Sequence, residues 1–214
     1  MLQGTALLEG LAERMGDGPY NIELIAGSSD DANAMPFFEG AMSILQPKID
    51  DKTLTVVSGQ TTFEQVATQG WKAENAQKRM DTVLSGFYAG DVPLNGILSP
   101  NDTLERAALV AVAQAGKDTP VITGQDSEVE SVTSIMAGVQ YSTIYKDTRE
   151  LVAQTIASIV DLQNCKDIPI NDTKQYDNGV KIVPAFLLDP KIVTKANAAE
   201  VYANDSTLGP LTKG

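Results

Sequence analysis

Four places in this sequence set polar side chains where a small molecule could be held: Asp31 with Asn33, Asn101 with Asp102, Asp126, and Lys146. Each follows a short apolar run that reads as a β-strand, and each stands at or just before a helical pattern. In an open α/β sheet, ligands bind in the crevice beyond the carboxyl ends of the strands. Carboxylates accept hydrogen bonds, an ammonium donates them, and an amide does both. Gathered on one rim, these groups suit a small, uncharged ligand rich in hydroxyls.

Each residue also has a plainer reading. Asp126 lies in Gly124-Gln125-Asp126-Ser127-Glu128-Val129-Glu130. Asp favours helix N-caps, but Ser127 with Glu130 already spells a capping box, which leaves Asp126 for a ligand. Asp102 with Glu105 can cap the next helix in the same way, which frees the Asn101 amide. Capping by Asp30 or Asp31 competes with ligand contact at Asp31 and Asn33. Lys146 precedes Asp147 and could be solvated or ion-paired. Trp71 is the single tryptophan. A lone Trp usually packs in a core, whereas a Trp beside a polar rim can stack on a sugar ring while its edge stays wet. The residues alone leave both readings open.

The elements that must position this rim alternate. Helical spacing runs over residues 2–15, 32–44, 73–87, 103–115, 127–136 and 147–162. Strand-like runs fall at 21–26, 54–57, 96–98, 120–123 and 140–145, with a loop from the second of these to Trp71. Such alternation predicts βαβ units and a mostly parallel, doubly wound α/β sheet. The stretch 167–179 is polar and loop-like. Residues 180–188 read as an apolar strand broken at Pro184, followed by a short Ala-rich helix and a polar tail.

Composition excludes much. The chain has 214 residues, 43% hydrophobic and 21% charged, and a net charge of −12. That excess of acid argues against nucleic acid and anionic membranes as partners, since both reward clustered Lys and Arg. There is no histidine, so Ser-His-Asp and Cys-His nucleophilic sites and His-ligated zinc are absent. No phosphate-binding glycine motif and no calcium-binding loop occurs. Cys165 is alone, so no internal disulfide can form. No cofactor is expected. No transmembrane span and no export signal is legible within the chain.

Taken together, several segments resemble a known family: Gly27-Ser28-Ser29-Asp30-Asp31-Ala32-Asn33-Ala34, Trp71 with Met80, Leu98-Ser99-Pro100-Asn101-Asp102, Gly124-Gln125-Asp126, Tyr145-Lys146, and Asn178-Gly179-Val180-Lys181-Ile182-Val183-Pro184. The chain is similar to periplasmic monosaccharide-binding proteins of ABC transporters, in the multiple-sugar, xylose and galactose branch. The resemblance implies type I periplasmic-binding-protein architecture, with Rossmann-like lobes closing over one sugar. Residues 1–146 would be the C-terminal lobe, 147–183 a helix and strand of the other lobe, and 184–214 the return to the first lobe with its tail. Most of the N-terminal lobe and the export signal would lie outside this chain.

The same resemblance implies that Asp31, Asn33, Asn101, Asp126 and Lys146 bond sugar hydroxyls and that Trp71 stacks on the ring. Partners would be a monosaccharide of the glucose, galactose, xylose or arabinose class, an ABC transporter permease, and possible signalling proteins such as a chemoreceptor or sensor kinase. Location would be periplasmic. Related galactose and arabinose receptors carry an arginine near the start of the helix after the first strand here, where this chain has Met35. Two other readings are weighed: the effector domain of a LacI-type transcription regulator, which shares this fold, and a carbohydrate-active enzyme using a carboxylate pair, which nothing in the sequence signals. The motifs favour the receptor over the regulator.

Overall fold

The structure, a computed structural model, describes residues 1–213. In chain order the elements are α1 (Leu2–Met15), β1 (Tyr20–Leu24), α2 (Ala34–Asp50), β2 (Leu54–Val56), α3 (Phe63–Val66), α4 (Ala73–Phe87), β3 (Gly96–Leu98), α5 (Asp102–Gln114), β4 (Val121–Ile122), α6 (Val129–Met136), β5 (Ser142–Tyr145), α7 (Thr148–Gln163), β6 (Lys191–Thr194) and α8 (Ala198–Val201). The first four strands form a parallel sheet in the order β2-β1-β3-β4. A single parallel bridge from Thr123 to Ser142 continues it to β5, which pairs with β6.

That order places a switch point between β1 and β3. The chain leaves β1 outward to β2 and returns past it to β3, so the loops after β1 and β3 diverge and leave a crevice at the carboxyl edge. Side chains alternate across the sheet: Leu98 joins one apolar cluster with Leu7, Leu11, Phe38 and Leu45, and Ile97 joins another with Met80, Leu84, Leu104 and Ala108. Helices α1 and α2 supply the first cluster, and α4 and α5 the second. The sheet is therefore covered on both faces, as parallel sheets are. One charged residue lies inside it. Glu23 on β1 is fully buried and accepts from Ser58 N at 3.0 Å, Ser58 Oγ at 2.6 Å and Tyr88 OH at 2.9 Å.

The chain divides into two compact units: Met1–Tyr145 together with the segment from Ile192 onward, and Lys146–Lys191. In the second unit α7 has no buried residue, and Val152, Ile156, Ile159 and Val160 are 48–57% exposed.

Several boundaries differ from the sequence reading. Helix α2 runs on to Asp50 with Pro47 inside its last turn, and Asp51 N closes the end on Pro47 O at 3.1 Å. The loop before Trp71 contains α3, whose Thr62–Gln65 capping box is formed. The apolar run 180–188 is not a strand. Single antiparallel bridges, Asp172 to Ala185 and Asp177 to Ile182, and the Asn171 side chain on Leu187 hold that segment, and Pro184 has no N–H to extend a ladder. β5 pairs with the short, mixed β6.

Candidate functional site

The loop after β1 is folded back by its own hydrogen bonds. Asp31 N donates to Ser28 O at 3.1 Å, and Asn33 N donates to Asp31 Oδ1 at 2.8 Å. Asn33 occupies the N-cap of α2 without a side-chain cap bond. Capping by Asp30 or Asp31 is therefore not what the structure shows. Ser28 Oγ donates to Asp30 and accepts Gly70 N at 2.7 Å, which joins this loop to the one carrying Trp71.

Trp71 is half-buried and touches both apolar clusters. Its Nε1 donates to Asp31 Oδ2 at 3.1 Å. The residue sits at φ +54°, in the left-handed region, after Gly70 at +66°. Non-glycine residues there are uncommon and cluster at ligand sites. A Cβ at Gly27 would overlap the indole ring, so this close approach requires glycine. Core packing and a wet rim position are thus not alternatives for Trp71: one residue does both.

The loops after β3 and β4 form the other side. Asn101 is the N-cap of α5, and its Oδ1 accepts Leu104 N at 2.9 Å. This corrects the expectation that Asp102 and Glu105 cap that helix and leave Asn101 unused. The oxygen is taken, and the Nδ2 donors of Asn101 have no partner among the described residues. Asp102 is fully buried. It accepts Glu128 N at 2.9 Å on Oδ2, and Gln140 Nε2 at 3.0 Å and Thr143 Oγ1 at 2.9 Å on Oδ1. Burial pushes its carboxyl up to about 6 against the opposing pull of these bonds. Glu105, also fully buried, has no partner for either carboxylate oxygen among the described residues. Burial, and then the Asp102 charge, push it up to about 8.

Asp126 is exposed, at φ +96°, and Ser127 follows at +53°. The expected Ser127–Glu130 capping box is not formed. Helix α6 starts at Val129, with Glu128 as its N-cap. Ser127 is buried, its N–H bound by Thr143 Oγ1 at 3.1 Å and its Oγ by Tyr202 OH at 2.7 Å. A long-range tertiary contact took the serine that the local motif would have used. Lys146 is exposed and directly follows β5, opening the second unit.

The structure thus joins Asp31 to Trp71 directly, and sets Asn101 and Asp126 beyond β3 and β4. Asp102 N donates to Gln125 O at 3.0 Å, which holds those two loops together. Sequence reading missed Gly27, Thr143, Gln140 and Tyr202. Only Gly27 left a local signal, as a glycine at a strand end. Among the described residues no group of His, Cys, Asp or Glu could hold a metal, and no helix is long and apolar enough to cross a membrane.

Comparisons with known proteins agree with this architecture. A profile of the family described as periplasmic binding protein domain matches residues 2–167. The multiple sugar-binding periplasmic receptor ChvE of Rhizobium radiobacter is 46% identical over 94% of this chain, and the multiple sugar-binding periplasmic protein SbpA of Azospirillum brasilense is 46% identical over 92%. The chain spans 58% and 56% of the lengths of those two relatives. Among solved structures, an ABC transporter solute-binding protein from Clostridium phytofermentans with bound β-D-glucose superposes with TM-score 0.90, at 35% identity over 99% of this chain and 66% of its own. On the family profile and these relatives, the chain belongs to the periplasmic binding protein domain family.

Proposed function

We propose that this chain forms one side of a monosaccharide site in a periplasmic solute-binding protein that serves an ABC transporter. The observation that carries the reading is the Trp71–Asp31 pair at the switch point. An indole whose edge is fixed by a carboxylate presents a flat apolar face beside hydrogen-bond acceptors, which is what a pyranose offers in reverse. Asp31 and Asp126 accept from sugar hydroxyls, and Asn101 donates through Nδ2. Asn33 adds a polar contact, and Trp71 stacks on the ring.

A carboxylate in use is not thereby excluded. Asp31 already takes two protein donors, but its two oxygens carry about four lone-pair sites. The role is binding, not catalysis. The relatives are named as receptors and binding proteins, and the superposed Clostridium phytofermentans solute-binding protein has β-D-glucose bound. Residues 1–146 would belong to the C-terminal lobe and 147–183 to the other lobe, with 184–214 returning to the first. The permease is the expected partner, and a chemoreceptor or sensor kinase a further one.

Titration calorimetry with D-glucose, D-galactose, D-xylose and L-arabinose tests the reading. Saturable heat with at least one sugar is expected. Its absence for all of them, up to molar concentration, contradicts it.

A further inference from the structure

We propose that Asp102 and Thr143 are positioning residues for sugar binding: together they hold residues 126–128 so that Asp126 keeps the left-handed backbone that presents its carboxylate. The inference rests on the reading of Asp126 as a sugar contact.

Three consecutive backbone N–H groups are pinned here. Asp126 N donates to Ile144 O at 3.0 Å, Ser127 N to Thr143 Oγ1 at 3.1 Å, and Glu128 N to Asp102 Oδ2 at 2.9 Å. The Thr143 hydroxyl spends its own proton on Asp102 Oδ1 at 2.9 Å, which orients its lone pair toward Ser127. One buried carboxylate therefore fixes two of the three groups, one directly and one through Thr143. Backbone in the left-handed region persists for non-glycine residues only where the surroundings over-determine it, and this network is what does so at φ +96° and +53°.

Two further features fit this role. Gly124 has no side chain where Asp102 and Gln140 sit, and a Cβ there would overlap both. Tyr202, fully buried on the tail, donates to Ser127 Oγ at 2.7 Å from the other side. A cap for α6 does not explain the arrangement. Its N-cap residue is Glu128, with no side-chain cap bond, and the carboxylate on its N–H comes from another element.

The test compares Thr143→Val, which keeps shape but removes the hydroxyl, with Thr143→Ser, which restores it. Two readouts are taken on the full chain: amide hydrogen exchange at residues 126–128, and D-glucose affinity followed by Trp71 fluorescence. Loss of one buried hydrogen-bond link corresponds to about tenfold in an equilibrium constant. Thr143→Val should speed exchange at Ser127 by about tenfold while amides of β1 and β3 stay protected. It should weaken D-glucose binding by about tenfold, and Thr143→Ser should match the unsubstituted chain. In an Asp126→Ala background, Thr143→Val should cost no further affinity, which a merely structural role would not produce.

Unchanged exchange at 126–128 overturns the proposal. Faster exchange with full affinity overturns it too, provided Asp126→Ala does weaken binding. If Asp126→Ala binds as well as the unsubstituted chain, it is the sugar-contact reading that fails. If no sugar binds at all, that reading fails as well, and the exchange result still decides whether the network holds the loop.

Discussion

The two sides of the rim are built by opposite means. On the β1 side a half-buried indole leans on two apolar clusters over Gly27, and a single hydrogen bond to Asp31 fixes its edge. On the β3–β4 side the holding group is a buried carboxylate, and its neighbours are Thr143, Gln140, Ser127 and Tyr202. Packing is non-directional and blind to pH. A buried polar network is directional and responds to protons. One side can therefore be broken by changing shape, and the other by changing charge or a single hydroxyl.

The largest expected effect is on the apolar side. Trp71→Ala should lower stability by about 3 kcal/mol, as large-to-small changes in packed aromatics do, and should abolish sugar binding. Both losses should be the same at pH 5 and pH 8. Thermal melts and titrations at the two pH values check this, and a strong pH dependence of the loss would erase the contrast between the two sides.

A smaller effect of opposite sign should appear on the polar side. Glu105 is held protonated: its carboxyl is raised from an ordinary 4.5 to about 8. Between those values the folded chain keeps a proton that the unfolded chain has released. Stability therefore falls as pH rises through that window. Glu105→Met replaces an unpartnered carboxyl with an apolar group of similar shape. It should stabilise the chain at pH 8 by on the order of 1–3 kcal/mol, and by little at pH 5. Melting curves from pH 5 to 8 check the slope, and a parallel offset across that range would show that Glu105 does not titrate there.

The smallest effect should come from Asp31→Asn. The amide oxygen can still accept the indole N–H or the Asn33 N–H, so the stability loss should stay below about 1 kcal/mol. Trp71 is the only tryptophan, so its emission should shift as the indole loses a charged acceptor. A loss as large as that of Trp71→Ala would mean that the hydrogen bond, not packing, holds the β1 side.

These differences also explain what the sequence could and could not reveal. Strand–helix alternation and the polar residues after each strand are local signals, so the α/β sheet and the positions of Asp31, Asn101 and Asp126 were legible. The motifs together also carried the family. The capping of α5 and α6 was not. Asp102 and Glu105, and Ser127 with Glu130, have the local spelling of caps. At α5 the neighbouring Asn101 took the cap, and at α6 tertiary partners that lie 16 and 75 residues away, Thr143 for Ser127 N and Tyr202 for its Oγ, outcompeted the local bonds. Residues 180–188 misled for a related reason: apolar character marks a strand only where a partner with free donors and acceptors lies alongside, and Pro184 removes a donor. The dual use of Trp71 was hidden because composition gives no sign that Gly27 leaves room for its ring.

The proposed sugar site puts Trp71 on the ring and Asp126 on its hydroxyls. The most direct measurement is a D-glucose titration followed by Trp71 fluorescence, in the unsubstituted chain and in Asp126→Ala. A saturable spectral shift is expected in both, with the Asp126→Ala midpoint at about tenfold higher sugar, since a hydrogen bond to a charged group contributes about 1.5–3 kcal/mol. No saturable shift in the unsubstituted chain, or identical midpoints in the two, would contradict it.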